Sequence, residues 1–241
     1  MSVEGLTFPF PLLNMPVDGD RCRRLRAMER NKQTSIIKVD PDRVEKDKVQ
    51  KIADILGKGG LIAFPTETFY GLGAHALIRD AVEAVFRIKS RDPGKPVSVI
   101  VSDLAMFERI VEPPPAVFKA IASRFWPGPL TLVLRAVPGI PDNILGPDRT
   151  IGIRFPRVDW LRAVVKTLGA PITATSANIS GEKELYDPRN VKRAFAGLVD
   201  LIVDGGRTPG LLATTVLDLT QDKPRILRDG QVSRSALEEF L

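Results

Sequence analysis

The segment PTETFYGLGA, residues 65–74, carries three hydroxyl side chains, one carboxylate and two glycines within ten positions. It follows LIAF, residues 61–64, an apolar run with the length of a short buried strand. Ligands of open α/β sheets bind where strands end and loops begin, because the sheet holds the side chains of those loops rigidly. The segment therefore predicts a binding loop at a strand end, carrying Thr66, Thr68 and Tyr70.

A second segment of the same character is PITATSANISG, residues 171–181, in which Ser176, Asn178 and Ser180 follow a strand. Between the two segments, Lys89 and Arg91 precede a proline-glycine loop. Hydroxyls and amides donate hydrogen bonds to phosphates and carboxylates, and Lys and Arg add charge and bidentate geometry. Any one of these residues is as readily a turn or cap residue. Their recurrence in one chain indicates a phosphate or nucleotide site.

Composition limits the class of protein. The apolar fraction of 44% and the charged fraction of 27% are ordinary for a globular protein. No apolar run approaches the roughly 20 residues that span a bilayer, so we expect no membrane partner. The single cysteine excludes an internal disulfide and a cysteine-based zinc cluster. The first residues lack a secretory pattern, so we expect a cytoplasmic protein. The net charge of +6 indicates an anionic partner or simply a basic surface.

The chain divides into two parts. Residues 1–35 contain the proline-broken FPFPLLNMP and a basic stretch, which predict an N-terminal arm or extension. Residues 36–241 contain interleaved strands and helices without regular βαβ alternation, and TTVLDLT and RILR predict a hairpin. This pattern predicts one α/β (α+β) domain with a twisted, mixed parallel and antiparallel sheet flanked by helices.

Helix-start signals occur at three places. Asp80 is a candidate cap for the helix that leads to Lys89. Asp187 followed by proline predicts the cap and first position of a helix over residues 188–196. Ser235 and Glu238 have capping-box spacing for a last helix.

Two familiar phosphate-binding motifs are missing. The chain has no G-x-x-x-x-G-K-[ST] segment, and GLGAHA lacks the third glycine of G-x-G-x-x-G. A P-loop ATPase and a Rossmann dehydrogenase are therefore disfavoured.

The segments that do occur are recognisable together. They resemble, in order, the signature segments of the YrdC/Sua5 family of L-threonylcarbamoyladenylate synthases: PTETFYGLGA, IKSRDPGKPVSVIV, FWPGPLTLVL, GIRFP, PITATSANISG, TTVLD and RILRDG. The resemblance covers about residues 36 to 232 and is closest to the short, single-domain YrdC type. It implies a YrdC-like catalytic domain with a basic concave face. The synthases resemble one another, and differ from YciO-type paralogues, in a tetrad present here as Lys89, Arg91, Ser176 and Asn178.

The resemblance implies a nucleotidyltransferase. L-threonine, bicarbonate and ATP would give threonylcarbamoyl-AMP and pyrophosphate, the first step of t6A modification at position 37 of tRNA. Mg²⁺ would accompany the ATP phosphates, and no protein-bound structural metal is expected. A downstream threonylcarbamoyl transferase would take up the product, and tRNA or double-stranded RNA is a further candidate partner.

The same resemblance assigns the site residues. Lys89 and Arg91 are the predicted catalytic residues. Threonine and its carbamate are predicted to contact Thr66, Thr68, Tyr70, Lys89 and Arg91. The predicted ATP-binding residues are Arg91, Arg154, Ser176, Asn178, Ser180, Thr214, Thr215 and Arg228. We interpret Glu67 as a brace for its loop, His75 as a wall residue and Trp126 as a core or wall residue.

Three alternatives remain. One is a non-catalytic RNA-binding module for tRNA or ribosome maturation, which would need basic residues spread over a surface. Another is a YciO-like paralogue of unknown substrate. A carbamoyl-transfer role as in hydrogenase maturation is disfavoured, because that related domain travels with cysteine-rich zinc fingers and this chain has one cysteine.

Overall fold

The computed structural model describes residues 33–92 and 94–241. Its ten strands form one sheet with the order β1-β8-β2-β3-β7-β4-β6-β5-β9-β10. The strands are β1 Ser35–Lys38, β2 Ile62–Pro65, β3 Tyr70–Gly73, β4 Ser98–Ile100, β5 Leu130–Arg135, β6 Thr150–Arg154, β7 Ile172–Ser176, β8 Leu201–Asp204, β9 Thr215–Asp218 and β10 Arg225–Arg228. Residues 1–32 of the predicted N-terminal arm lie outside the described residues.

Parallel and antiparallel pairs alternate irregularly across the sheet. The pairs β1–β8, β4–β6 and β5–β9 are parallel, whereas β3–β7, β4–β7 and β5–β6 are antiparallel. The predicted hairpin of TTVLDLT and RILR is present as the antiparallel pair β9–β10. The prediction of one mixed sheet flanked by helices is therefore confirmed.

Seven α-helices occur in the described residues: α1 Lys46–Gly57, α2 Arg79–Lys89, α3 Leu104–Glu108, α4 Val117–Phe125, α5 Asp159–Leu168, α6 Pro188–Phe195 and α7 Arg234–Leu237. Asp187 caps α6, as predicted, by accepting the N–H of Arg189 at 2.9 Å. Two other cap predictions are wrong. Ser233, not Ser235, caps α7, because its hydroxyl accepts from Ala236 N. Asp80 lies in the first turn of α2, and Ile78 is the cap residue.

The segment of residues 65–74 folds as a tight antiparallel hairpin. Pro65 pairs with Tyr70 and Phe64 with Gly71, so β3 turns back directly along β2. A Cβ on Gly71 would lie 2.9 Å from Phe64 Cζ, and one on Gly73 would lie 2.7 Å from Phe64 Cε1. Both glycines are therefore required because the fully buried Phe64 ring covers the backbone of β3.

Apolar side chains pack on both faces of the sheet. The larger cluster combines side chains of α1 and α5 with those of β4, β5 and β6. The smaller cluster combines α2 and α6 with Tyr70 and Leu72 of β3. Trp126 is a core residue, since its ring lies edge-on to Phe107 at 5.8 Å and its Nε1 donates to Leu130 O at 2.9 Å. Within the residues described, no helix combines the length and apolarity needed to cross a bilayer.

Candidate active site

The pairing of β3 with β7 brings the two hydroxyl-rich segments together. Gly71 lies opposite Ser176 and Leu72 opposite Thr175, although about a hundred residues separate them in the chain. A cleft of about 150 Å³ opens over this junction. Its polar lining residues are Thr66, Thr68, Tyr70, Arg91, Ser98, Thr131, Arg154, Thr175, Ser176, Glu184, Thr214 and Arg228.

Most of the predicted site residues line this cleft, and four do not. Lys89, Asn178, Ser180 and Thr215 lie outside the lining. Asn178 and Thr215 are buried, and Ser180 is exposed. The Thr215 hydroxyl donates to Val232 O at 2.7 Å, so it anchors the start of β9 to the C-terminal segment.

The turn of the hairpin is held by its own hydroxyls. Thr66 Oγ1 lies 2.9 Å from Thr68 Oγ1 and donates to Phe69 O at 2.7 Å. Thr68 N donates to the same Thr66 oxygen at 3.1 Å. Both side chains are buried, so their orientation is set before any ligand arrives.

Tyr70 forms the wall of the cleft behind these threonines. Its hydroxyl donates to Gly206 O at 2.7 Å, which ties β3 to the segment that follows β8. Burial raises the pKa of the Tyr70 hydroxyl well above its ordinary value. Tyr70 therefore stays neutral and shapes the pocket.

Lys89 is at the C-terminal end of α2 and is only 2% exposed. Its Nζ donates to Asn178 O at 2.7 Å, to Asn178 Oδ1 at 2.8 Å and to Ser176 O. The ammonium group therefore lies under the loop that follows β7 and outside the cleft lining. The family resemblance predicted that Lys89 is catalytic and contacts threonine and its carbamate. In the structure three loop oxygens surround its ammonium group, and Lys89 does not line the cleft.

The loop after β7 is further braced by its own polar groups. Ser176 Oγ donates to Asn178 Oδ1 at 2.7 Å, and Asn178 Nδ2 donates to Glu182 O at 2.6 Å. Ser180 N donates to Lys89 O at 2.9 Å. Asn178 is thus the connection between Lys89, the end of β7 and the loop, while Ser176 also faces the cleft.

Three guanidinium groups converge on the cleft. Arg91 is held by Pro96 O at 2.8 Å, and Arg154 forms an ion pair with Glu67 at 2.9 Å. Arg228 donates to Thr214 O at 2.8 Å and to Thr214 Oγ1 at 3.0 Å. Burial lowers the pKa of Arg228, and the charges of Arg154 and Arg91 lower it further. The cleft is therefore positive and fits a polyanion.

The structure adds lining residues that the sequence analysis missed. Thr131 Oγ1 lies 3.0 Å from Thr214 Oγ1, and Ser98 and Glu184 also line the cleft. Thr131 had a signal in the sequence, since it is the polar position inside the apolar run LTLVL. Glu184 had none, because it lies in an irregular segment between β7 and α6.

His75 lies outside the cleft. It forms an isolated bridge with Ile172, its Nδ1 accepts from Leu77 N at 3.2 Å, and burial lowers its pKa. Among the described residues, no group of three or more His, Cys, Asp or Glu side chains could hold a metal ion. Glu184 is the acidic side chain of the cleft lining, and carboxylate oxygens are ligands that Mg²⁺ accepts.

The chain is similar in sequence and in fold to known proteins. The chain is 36% identical over 200 residues to the threonylcarbamoyl-AMP synthase of Pyrococcus abyssi, covering 83% of this chain and 59% of that protein. It aligns at 36% identity and a TM-score of 0.82 with P. abyssi Sua5 complexed with L-threonine, covering 86% of this chain and 61% of that chain. It also aligns at 30% identity and a TM-score of 0.76 with Escherichia coli YciO, covering 87% of this chain and 100% of that chain.

The relatives differ in length. This chain spans about three-fifths of the P. abyssi synthase.

Residues 54–230 match the model of the family described as Sua5/YciO/YrdC, telomere recombination. This match covers most of the chain and contains the cleft from Thr66 to Arg228. The chain therefore belongs to the Sua5/YciO/YrdC family.

Proposed function

We propose that the chain is an L-threonylcarbamoyladenylate synthase that carries out the first step of tRNA t6A37 modification. The observation that carries this proposal is the convergence of Arg91, Arg154 and Arg228 on one hydroxyl-lined cleft. A cleft with this charge suits a reaction in which ATP, threonine and bicarbonate all bring negative charge to one place.

The proposed chemistry needs no protein nucleophile. The threonine amine adds to bicarbonate and water is lost, which gives a carbamate. A carbamate oxygen then attacks the α-phosphorus of ATP, the bond to the bridging oxygen breaks, and pyrophosphate leaves. The protein accelerates this nucleotidyl transfer by holding the reactants in line and by placing donors where charge develops.

Different residues of the cleft bind different reactants. Thr66 and Thr68, fixed by their mutual hydrogen bond, contact threonine and its carbamate. Arg91 and Arg228 bind the phosphates, because both residues line the cleft together with the hydroxyl residues Ser176 and Thr214. Arg154, oriented by Glu67, completes the binding of the anionic groups.

Lys89 and Asn178 act as positioning residues. The ammonium group holds Ser176 and the loop after β7 in place from below. Because Ser176 faces the cleft, a displacement of this loop would move the Ser176 hydroxyl away from the nucleotide. This explains why a buried lysine belongs to the same tetrad as a cleft arginine.

We propose that Mg²⁺ binds together with ATP. It would be held by the phosphate oxygens and by Glu184, and it would neutralise charge on the leaving pyrophosphate. The product adenylate is labile, so a cytoplasmic threonylcarbamoyl transferase is the expected next partner, with tRNA as the final acceptor.

A second candidate function is a YciO-like activity on a substrate of another class. It is favoured by one observation: the alignment with E. coli YciO covers all of that chain. A dependence on threonine distinguishes the two, because only the synthase should need it.

Release of pyrophosphate by the purified protein tests the proposal. ATP and Mg²⁺ are supplied throughout, and threonine and bicarbonate are omitted in turn. We expect release only when both are present, and loss of release in Arg228→Gln. The matched control is Arg135→Gln, which changes an exposed arginine at the end of β5. Release without threonine would favour the second candidate, and RNA binding without release would favour a non-catalytic module.

A further inference from the structure

Arg228 lies at an irregular point of the sheet. It is the last residue of β10, and the pairing of β10 with β9 shifts register between Ile226 and Arg228. Bulges of this kind occur next to active sites, where they change the direction of a side chain. The regular ladder therefore does not by itself fix where the Arg228 side chain points. Contacts outside β10 must keep it in the cleft that it lines.

The charges of the cleft make such contacts necessary. Arg154 and Arg91 line the same cleft, and their positive charges repel the Arg228 guanidinium group. Glu184 attracts it and offsets part of this repulsion. A guanidinium group in this field stays in one place only where hydrogen-bond acceptors hold it.

Thr214 provides these acceptors. Arg228 Nε donates to Thr214 O at 3.1 Å, and Arg228 Nη2 donates to Thr214 O at 2.8 Å and to Thr214 Oγ1 at 3.0 Å. The position of the carbonyl oxygen is set by the backbone, whereas the position of Oγ1 depends on the rotamer of the Thr214 side chain. The orientation of Arg228 therefore depends on what fixes that rotamer.

Thr131 is in contact with the Thr214 side chain. Its Oγ1 lies 3.0 Å from Thr214 Oγ1, and Thr131 is only 1% exposed. The residue lies on β5, which runs between β6 and β9, and it pairs with Arg154 on one side and Val216 on the other. A β-branched side chain on a strand with partners on both sides has little freedom at χ1. Thr131 is therefore a rigid partner for Thr214.

The direction of these hydrogen bonds follows from the donors available. A guanidinium group only donates, so Thr214 Oγ1 accepts from Arg228. The single O–H of Thr214 can then donate to Thr131 Oγ1. Hydrogen bonds in such a chain strengthen one another, because each polarises the next. The chain therefore runs from Arg228 through Thr214 to Thr131.

We propose that Thr131 is a positioning residue for the nucleotidyl transfer. It accepts the hydroxyl proton of Thr214, fixes the Thr214 rotamer and thereby holds Arg228 where it binds phosphate. The phosphate-binding role of Arg228 rests on the proposed function. Because Thr131 acts through another side chain, the loss of its hydroxyl should weaken phosphate binding although no charge is removed.

Binding of pyrophosphate measures this role without threonine, bicarbonate or turnover. The full chain and its variants are titrated with sodium pyrophosphate in a calorimeter at equal pH and ionic strength. Thr131→Val keeps the branched shape and removes the acceptor, so its Kd should rise about fivefold to tenfold, the loss expected for one hydrogen bond. Thr131→Ser keeps the hydroxyl, and its Kd should stay within about twofold of the wild type. Equal losses in both variants would overturn the role of the hydroxyl and assign the effect to the methyl group.

A double-mutant cycle shows whether Thr131 acts through Arg228. Thr131→Val is combined with Arg228→Ala, which removes all the donors of the guanidinium group. In this background Thr131→Val should change the Kd for pyrophosphate by less than about twofold, because the side chain that it positions is gone. The same loss in both backgrounds would overturn the proposal, since Thr131 would then affect the ligand independently of Arg228.

Thr173→Val is the matched control for a general loss of stability. Thr173 is also a buried threonine of a strand, and its Oγ1 accepts from Ala74 N at 3.0 Å. It lies outside the cleft lining. The control should lower the Tm and leave the Kd for pyrophosphate unchanged. If Thr173→Val weakened binding as much as Thr131→Val, the effect would belong to the stability of the sheet, and the positioning role would be rejected.

Turnover separates this inference from the proposed function. In a chain that releases pyrophosphate, Thr131→Val should raise the KM for ATP and leave the KM for threonine unchanged. Coupling between Thr131 and Arg228 in a chain without turnover would support the positioning role and reject the synthase. Turnover without coupling would reject the positioning role and leave the synthase intact. A wild type that binds no pyrophosphate would overturn the positioning role whatever its turnover.

Discussion

Lys89 Nζ lies 2.8 Å from Oδ1 of Asn178, across 89 positions of the chain. The contact joins the end of α2 to the loop after β7, and the same nitrogen donates to the backbone oxygens of Ser176 and Asn178. Because Ser176 lines the cleft, a side chain that touches no cleft surface determines part of its shape.

Lys89→Met should therefore reduce both stability and turnover. The substitution leaves three loop oxygens without their charged donor, and we expect a loss of about 2–4 kcal/mol in the free energy of unfolding. Urea denaturation and pyrophosphate release measure the two effects. Lys119→Met, at an exposed position of α4, is the control. A stable variant with a raised KM for ATP would instead indicate direct contact between Lys89 and the phosphates.

Arg228→Gln should weaken binding of polyanions with little effect on the free protein. The variant loses hydrogen bonds to Thr214 and is relieved of the repulsion from Arg154 and Arg91, so we expect its own Tm to change little. Pyrophosphate at 100 times its Kd should stabilise the wild type by about 2.7 kcal/mol. Thermal melts with and without pyrophosphate at equal ionic strength should show a much smaller increment in the variant. An equal increment in both proteins would place the phosphate site elsewhere.

Gly73→Ala should destabilise the hairpin. The new Cβ would lie 2.7 Å from Cε1 of Phe64, a fully buried ring that has no free space to retreat into. We expect a loss of about 1–3 kcal/mol in the free energy of unfolding, measured in urea. Gly57→Ala is the comparison, because its Cβ would meet Leu168 Cδ1 at an ordinary 3.6 Å and alanine favours a helix. Similar losses in both variants would show that the Phe64 contact is unimportant.

Asp187→Asn should make stability less sensitive to acid. Hydrogen bonds from the side chain and backbone of Arg189, and then from Arg207, hold the pKa of the Asp187 carboxyl well below its usual range. Since the folded pKa is depressed, this stabilisation is present above the unfolded value of about 4 and is lost as the pH falls through the folded value. The gap in Tm between wild type and variant should therefore narrow from pH 7 to 3. A gap of constant size would mean that the carboxylate charge contributes nothing.

The sequence predicted those features that depend on neighbours along the chain. The run of residues 61–64 and the hairpin β9–β10 follow from apolar pattern and turn residues, and the Asp187 cap follows from one dipeptide. The cleft positions of Thr66, Arg91 and Ser176 were predictable for the same reason, since strand ends expose their loops.

Other features depend on contacts that no local pattern contains. The four residues of β3 include two glycines, so their propensity predicts a loop, and the strand exists because β2 and β7 flank it. Thr214 and Thr215 are chemically identical neighbours where the chain enters β9. Thr214 lines the cleft, whereas the Thr215 hydroxyl donates to Val232 O, because successive side chains of an extended chain point in opposite directions.

By itself, the sequence determined the chemical inventory of this protein: two hydroxyl-rich segments, a basic loop between them, and their order along an α/β chain. Only the tertiary structure decided which of these side chains line the cleft. Lysines are mostly exposed, and nothing near position 89 marks this one as buried. Its place was decided by three loop oxygens brought to it by the fold, because a buried ammonium group is stable only where such acceptors replace water.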